Sequence, residues 1–316
     1  MKQAPILVTG APRSGTTFLG RMLALPYHVL YVDEPFNVQT GLEGVRTMFP
    51  DKLTSGGLAN GDGDAEYADF VRKLLRGEAR FRPSELRVST KNPLRQLARE
   101  LWVSRENLGY KLHAKNPLKQ RYLLKDPMAC YLTEYLHRNF DMKTIIIMRH
   151  PLSTIASYKR LGWHYNVADL LKRTEHMGVD LKRTVQELEA GTLNEMEEWS
   201  YMWLCIYAML HKFLKANPGM LLVTHEELSV RPVETLESLY RSLGMPFTER
   251  VRQKIVDHTK SENPTEPTGN KAHVLRRNSA ENINRWRHIL TSKEIDTIHR
   301  ITAPFVGQFY SASSWD

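Results

Sequence analysis

Apolar residues fall in four short continuous runs, each followed by polar and apolar positions at helical spacing. Ile6-Leu7-Val8-Thr9 ends in a glycine and leads into a helical pattern from about Thr16 to Leu25, which reads as strand, tight loop and helix. Tyr122-Leu123-Leu124 is a second strand, followed by a helix at about Ala129 to Arg138. Lys143 to Met148 is the clearest strand, β-branched and too apolar to face water, and Pro151 suits the first turn of the next helix. Met220 to Thr224 is the fourth, and Pro232 opens a helix that runs to about Leu243 before Gly244. Trp199, Trp203, Ile206, Leu210 and Phe213 recur at helical spacing and read as one buried helix face. Thr291-Ser292-Lys293-Glu294 is a capping box that starts a final helix near Thr291. Continuous apolar strands alternating with helices imply an α/β fold, a parallel sheet flanked by helices on both faces.

We read residues 1–316 as a single domain of this class, interrupted by a long insertion from about 37 to 120. Ser55-Gly56-Gly57 and Gly61-Asp62-Gly63 punctuate that insertion, and Lys91-Asn92-Pro93-Leu94-Arg95-Gln96 is echoed by Lys115-Asn116-Pro117-Leu118-Lys119-Gln120. Two copies cannot build a solenoid. Ser261 to Asn270, with Pro264, Pro267 and Gly269, reads as a loop.

Composition excludes several classes of protein. With 41% hydrophobic and 25% charged residues the chain is neither disordered nor fibrous. Two cysteines, Cys130 and Cys205, supply no disulfide framework and no multi-cysteine zinc site, which fits a reducing, cytoplasmic setting. The N-terminus lacks a secretory h-region. The longest apolar run, Tyr201 to Leu210, falls well short of the roughly 18 to 20 residues that a bilayer crossing needs.

The net charge of +9 is unevenly placed. Residues 72 to 127 hold 15 Lys and Arg against 5 Asp and Glu, and the rest of the chain is close to neutral. Arg72, Lys73 and Arg76 fit the wet face of a helix, and the surplus as a whole fits a field that gathers an anionic ligand. Nucleic acid is not expected, because aromatic stacking platforms are not interleaved with the basic residues.

Gly10-Ala11-Pro12-Arg13-Ser14-Gly15-Thr16-Thr17 has the glycine spacing of a Walker A loop, directly after a strand and opening a helix. Such a loop aims backbone N–H groups and a helix N-terminus at a phosphate. The Walker lysine, however, is replaced by Thr16, and the cation stands instead at Arg13. No apolar strand ends in the acidic residue that helps hold Mg²⁺, and the strand through Ile147 ends in Arg149. Nucleoside triphosphate hydrolysis is therefore not expected. Arg149 stands at the C-terminal end of its strand, where ligands of open α/β sheets bind, and Ser157 follows within the next helix. A guanidinium and a hydroxyl there suit a second phosphate. Two phosphate sites at strand ends suggest a nucleotide phosphorylated at both ends of its ribose.

These residues resemble the sulfotransferases that use 3′-phosphoadenosine 5′-phosphosulfate (PAPS). Pro12-Arg13-Ser14-Gly15-Thr16-Thr17-Phe18 resembles the family's 5′-phosphosulfate loop, with Arg13 where cytosolic members usually carry Lys and Phe18 where they carry Trp. Arg149 and Ser157 match the 3′-phosphate signature. Thr224-His225-Glu226-Glu227-Leu228 resembles a Tyr-Glu-Asp-Leu segment with His225 in place of Tyr, and Arg276-Arg277 followed by Trp286 resembles a C-terminal basic loop without its glycine. The resemblance implies a P-loop-like α/β fold and transfer of a sulfuryl group from PAPS, without a metal, to an acceptor hydroxyl or amine of a small metabolite or carbohydrate. The nucleotide would then be held by Arg13, Ser14, Gly15, Thr16, Thr17, Phe18, Arg149, Ser157, His225, Arg276 and Arg277.

Sulfuryl transfer needs cations and N–H donors where charge develops, and it benefits from a base near the acceptor. The resemblance points to two candidates for the base. Asp33-Glu34-Pro35-Phe36 resembles the Glu-Pro pair of bacterial and carbohydrate sulfotransferases and makes Glu34 the expected base. Asp126 in Leu124-Lys125-Asp126-Pro127 is the alternative, with Lys125 as a cation near the transferring group. His113 and His164 read as loop or surface residues. Two other functions compete with this one, a divergent P-loop kinase or NTPase and a non-enzymatic binder of anionic polymer. The insertion is the expected acceptor-recognition or lid region.

Overall fold

The computed structural model describes residues 3–46, 49, 63–82, 109–163, 167–179, 193–260 and 281–315. Five strands, β1 (Ile6–Thr9), β2 (Val29–Asp33), β3 (Arg121–Lys125), β4 (Lys143–Met148) and β5 (Leu221–Thr224), form one sheet in the order β2-β3-β1-β4-β5. The flanking helices are α1 (Thr16–Leu23), α2 (Gly63–Arg76), α3 (Thr133–Phe140), α4 (Pro151–Leu161), α5 (Val167–His176), α6 (Glu195–Ala216), α7 (His225–Val230), α8 (Pro232–Ser242), α9 (Glu249–Thr259) and α10 (Ser292–Val306). The expected parallel α/β architecture is thus present. From β1 the chain travels to the β2 edge, whereas from β4 it travels to the opposite edge at β5. Neighbouring strands whose outgoing connections diverge make a switch point, the usual ligand position in open α/β sheets.

Two departures from the sequence reading matter. Strand β2 was not among the four expected strands, because its apolar run follows Leu23-Ala24-Leu25 with only Pro26, Tyr27 and His28 between. The helix stops at Leu23 and Pro26 resets the backbone, so one apolar stretch divides into two elements, and β2 ends in Asp33, against the expectation that no apolar strand ends in an acidic residue. The helix expected from about Ala129 begins as a 3-10 turn over Pro127–Leu132 before α3. Asp126 caps that turn by accepting from the Met128 N–H.

The chain divides into two compact units, residues 1–9 with 19–145 and residues 10–18 with 146–316. In the first unit, β3 is sandwiched between its neighbours in parallel register, with Val8 and Asp33 each paired to Lys125. Ile6, Leu7, Val8, Leu123 and Leu124 are wholly buried, each stabilising the sheet by about 2 kcal/mol. Arg72, Lys73 and Arg76 lie on the exposed face of α2 while Val71 and Leu74 are buried, as helical spacing predicts. In the second unit, Trp199, Trp203, Ile206, Leu210 and Phe213 of α6 are buried as expected, and α6 packs on α5 and α10. The capping box at Thr291 is formed.

Cys130 and Cys205 are buried and are not joined in a disulfide. Among the described residues, no helix is long and apolar enough to cross a membrane. The segments Ser55 to Asp62, Lys91 to Gln96 and Ser261 to Asn270, together with His164, lie outside the described residues.

Candidate active site

Strand β1 runs directly into the glycine loop, and the loop's shape depends on two residues without side chains. Gly10 has φ 152° and Gly15 has φ 103°, in the region that favours glycine. A Cβ at Gly10 would collide with the Ile147 carbonyl oxygen, and one at Gly15 would come within 2.9 Å of His225 Cδ2. Between them the Ser14 N–H donates to the Ala11 carbonyl at 3.1 Å. The loop is also braced from behind. Tyr158 of α4 donates to the Pro12 carbonyl at 2.9 Å, and Tyr207 of α6 accepts from the Ala11 N–H at 3.3 Å while donating to the Ile147 carbonyl at 3.1 Å.

Arg13, Arg149 and Ser157 come together here. Arg149 Nη1 donates to the Arg13 carbonyl at 3.1 Å, and Arg13 Nε donates to Ser157 Oγ at 3.2 Å. The Arg149 guanidinium therefore points at the loop, and its own carbonyl is fixed by the Trp203 indole N–H at 3.0 Å. Burial lowers the Arg149 pKa and the nearby Glu226 charge opposes that shift, but a guanidinium stays protonated in any case. Arg149 Nε and Ser14 Oγ are buried and have no hydrogen-bond partner among the described residues. Buried donors are rarely left unmet, so these two groups mark where an anion would be held. Thr16 is buried, whereas Thr17 and Phe18 of α1 are half-buried.

His225 rests its ring against Gly15. Burial, and then the Arg149 charge, push its pKa well down, so its imidazole is neutral. Arg276 and Arg277 lie outside the described residues, and Trp286, which follows them, is buried.

In the first unit, Glu34, Lys125 and Asp126 form a separate polar cluster. Lys125 is 1% exposed, and its Nζ lies 2.6 Å from Asp33 Oδ1 and 2.6 Å from Glu34 Oε1. The β2–β3 register puts Asp33 opposite Lys125, and the Glu34 N–H extends the ladder to the Lys125 carbonyl at 2.8 Å. Burial would lower the Lys125 pKa, but the Glu34 and Asp33 charges outweigh it and the net shift is upward, so the ammonium persists. Glu34 Oε2 accepts from Asn37 Nδ2 at 2.7 Å. Four non-glycine residues among those described have positive φ, and two of them are Arg13 at 68° and Glu34 at 44°. Backbone strain of about 1–3 kcal/mol is thus held at the expected cation and the expected base.

Asp126 is differently placed. Its Oδ2 accepts from the Phe36 N–H at 2.5 Å and its Oδ1 from the Met128 N–H at 2.7 Å, with the side chain wholly buried. The Asp126→Ala variant is expected to leave two buried N–H groups unmet, at about 1–3 kcal/mol each, and calorimetry should show a lowered Tm. Burial, then the Glu34 charge, raise this carboxyl from its ordinary 3.8 to about 8. The native state thus keeps a proton that the unfolded chain releases. The group's contribution is complete below about 4 and is lost as pH rises towards 8. Thermal unfolding across that range should show a Tm difference between wild type and variant that is largest near pH 4 and shrinks as pH rises towards 8.

The sequence reading missed several side chains that shape the site. Trp203 reads from the sequence as core alone and Tyr207 is not singled out, yet buried Trp and Tyr need partners for their polar tips, and here those partners are backbone groups of Arg149, Ala11 and Ile147. Asp33 was visible beside Glu34, but only the strand register pairs it with Lys125. Glu226 lies within the segment from Thr224 to Leu228 but was given no role, and Tyr310 carried no local signal.

A glycine loop between strand and helix, with two arginines and a serine converging on it, gives this α/β protein a candidate site for phosphate-like anions. The chain belongs to the sulfotransferase family, whose model matches residues 5–249. No curated protein matches the sequence. Among solved structures, the mouse sulfotransferase SULT7A1 complexed with PAP is similar over 98% of this chain and 87% of its own, with 12% identity and a TM-score of 0.50. Sulfotransferase STF9 from Mycobacterium avium is similar over 98% of this chain and 77% of its own, with 14% identity and a TM-score of 0.47. Retinol dehydratase in a complex with retinol and PAP is similar over 97% and 82%, with 14% identity and a TM-score of 0.42. At such identities the likeness concerns the fold.

Proposed function

We propose that the protein transfers a sulfuryl group from PAPS to a hydroxyl or amine of a small metabolite or carbohydrate. The observation that carries this reading is the convergence of Arg149 and Ser157 on Arg13 in the glycine loop. Supporting it are the loop's glycine geometry, the unpartnered Ser14 hydroxyl and Arg149 Nε, and the PAP complex of the mouse relative. When bound, PAPS would supply a sulfuryl group activated by its anhydride link to a 5′-phosphate.

The chain's residues then have distinct tasks. The loop N–H groups, Thr16 and Thr17 bind the 5′ end, where the N-terminus of α1 favours negative charge. Arg149 and Ser157 bind the 3′-phosphate. Arg13 bridges loop and Ser157, and its positive charge offsets the charge that develops on the leaving phosphate. Glu34 takes the proton from the acceptor, and Lys125 and Asn37 fix the carboxylate's orientation.

The test is incubation with PAPS and a panel of hydroxyl and amine acceptors, with release of PAP as the readout. Acceptor-dependent PAP release is the expected result. Mg²⁺-dependent turnover of ATP with no PAP binding would instead favour a divergent kinase.

A further inference from the structure

Glu226 and Tyr310 have no task in the scheme above, yet they stand beside its 3′-phosphate arginine. Glu226, in α7, is close enough for its charge to act on Arg149. A carboxylate that reaches a guanidinium ordinarily closes a paired, often bidentate, salt bridge. Among the described residues no ion pair joins the two, and each carboxylate oxygen is oriented by another donor. Oε1 accepts from the His150 N–H at 3.1 Å and Oε2 from the Tyr310 hydroxyl at 2.9 Å, while Arg149 Nε has no partner. Tyr310 follows α10 and lies beyond the segment that the family model matches. It is held in place by its own neighbours. The His150 ring meets Tyr310 edge-on at 5.1 Å and Trp315 at 4.7 Å, and His150 Nε2 lies 3.2 Å from Ser314 Oγ.

We propose that Tyr310, together with the His150 N–H, fixes the Glu226 carboxylate in an orientation that does not pair with Arg149, which keeps the guanidinium open to an incoming phosphate. Tyr310 is thus a positioning residue that acts on Arg149 through Glu226. Burial, and then the Glu226 charge, raise the Tyr310 pKa, so its hydroxyl remains a donor at neutral pH. Without that hydroxyl, Glu226 Oε2 would lose its donor beside a guanidinium that has one to offer.

This inference rests on the donor reading, because it assigns Arg149 to the 3′-phosphate. The test is calorimetric titration of PAP and of AMP, which lacks the 3′-phosphate, into wild type, Tyr310→Phe, Glu226→Gln and the double variant. Wild type should prefer PAP. Tyr310→Phe should weaken PAP about tenfold, the size of one hydrogen bond to a charged group, and leave AMP within about twofold. In the Glu226→Gln background, where no carboxylate can capture Arg149, adding Tyr310→Phe should cost PAP affinity less than about threefold. The inference is overturned if Tyr310→Phe weakens PAP and AMP alike, if it changes neither, or if its full cost persists in the double variant. A wild type that binds PAP no better than AMP overturns the donor reading and this inference together.

Discussion

Glu34→Gln is expected to lower kcat by about 100-fold or more, the usual worth of a positioned general base, while leaving PAP affinity within about twofold of wild type. The glutamine keeps the shape of the side chain and an oxygen for Lys125 or Asn37, so the cluster should persist while its capacity to take a proton is lost. Lys125 would also retain Asp33 at 2.6 Å, which keeps the buried ammonium paired. Asp126 is not positioned to take over, since both of its oxygens accept backbone N–H groups. Steady-state rates with saturating PAPS, alongside PAP titrations, separate the two effects. Undiminished turnover would remove Glu34 from the base role.

Arg149→Ala is expected to weaken PAP binding by at least about thirtyfold, because truncating one partner of a desolvated charge pair costs about 2–5 kcal/mol. The variant would lose the bond to the Arg13 carbonyl as well as the unpartnered Nε, so loop position and anion charge balance fail together. Arg149→Lys should recover little of this. An ammonium is a point charge and cannot reach the loop carbonyl and a phosphate with the geometry of a guanidinium. Titration of PAP into the three proteins measures the effect. Equal affinity in wild type and Arg149→Ala would place the 3′-phosphate elsewhere.

Much of the site was legible in the sequence because its components are local. Glycine spacing after an apolar strand announces a phosphate loop, and the φ values at Gly10 and Gly15 give the reason that these positions carry no side chain. Arg149 could be placed at a strand end because the β-branched run from Lys143 to Met148 is unmistakable. The Pro151 helix start put Ser157 one and a half turns into α4. Strand β2 escaped because its apolar residues merge with the tail of α1, and without β2 the environment of Glu34 could not be drawn.

The strand-loop-helix units, the places of the candidate anion-binding residues along the chain and the capping box at Thr291 follow from the amino-acid sequence, since each depends on neighbours within a few residues. Which of these units meet is settled only when the chain folds. Strand order puts β1 beside β4, and strand register puts Asp33 opposite Lys125 across some ninety residues of chain. Folding also turns the polar tips of Trp203 and Tyr207 towards backbone that no helical pattern reveals. It sets Tyr310 on Glu226 as well. Such pairings come from the packing of side chains distant in sequence, and local hydrophobic periodicity carries no record of them.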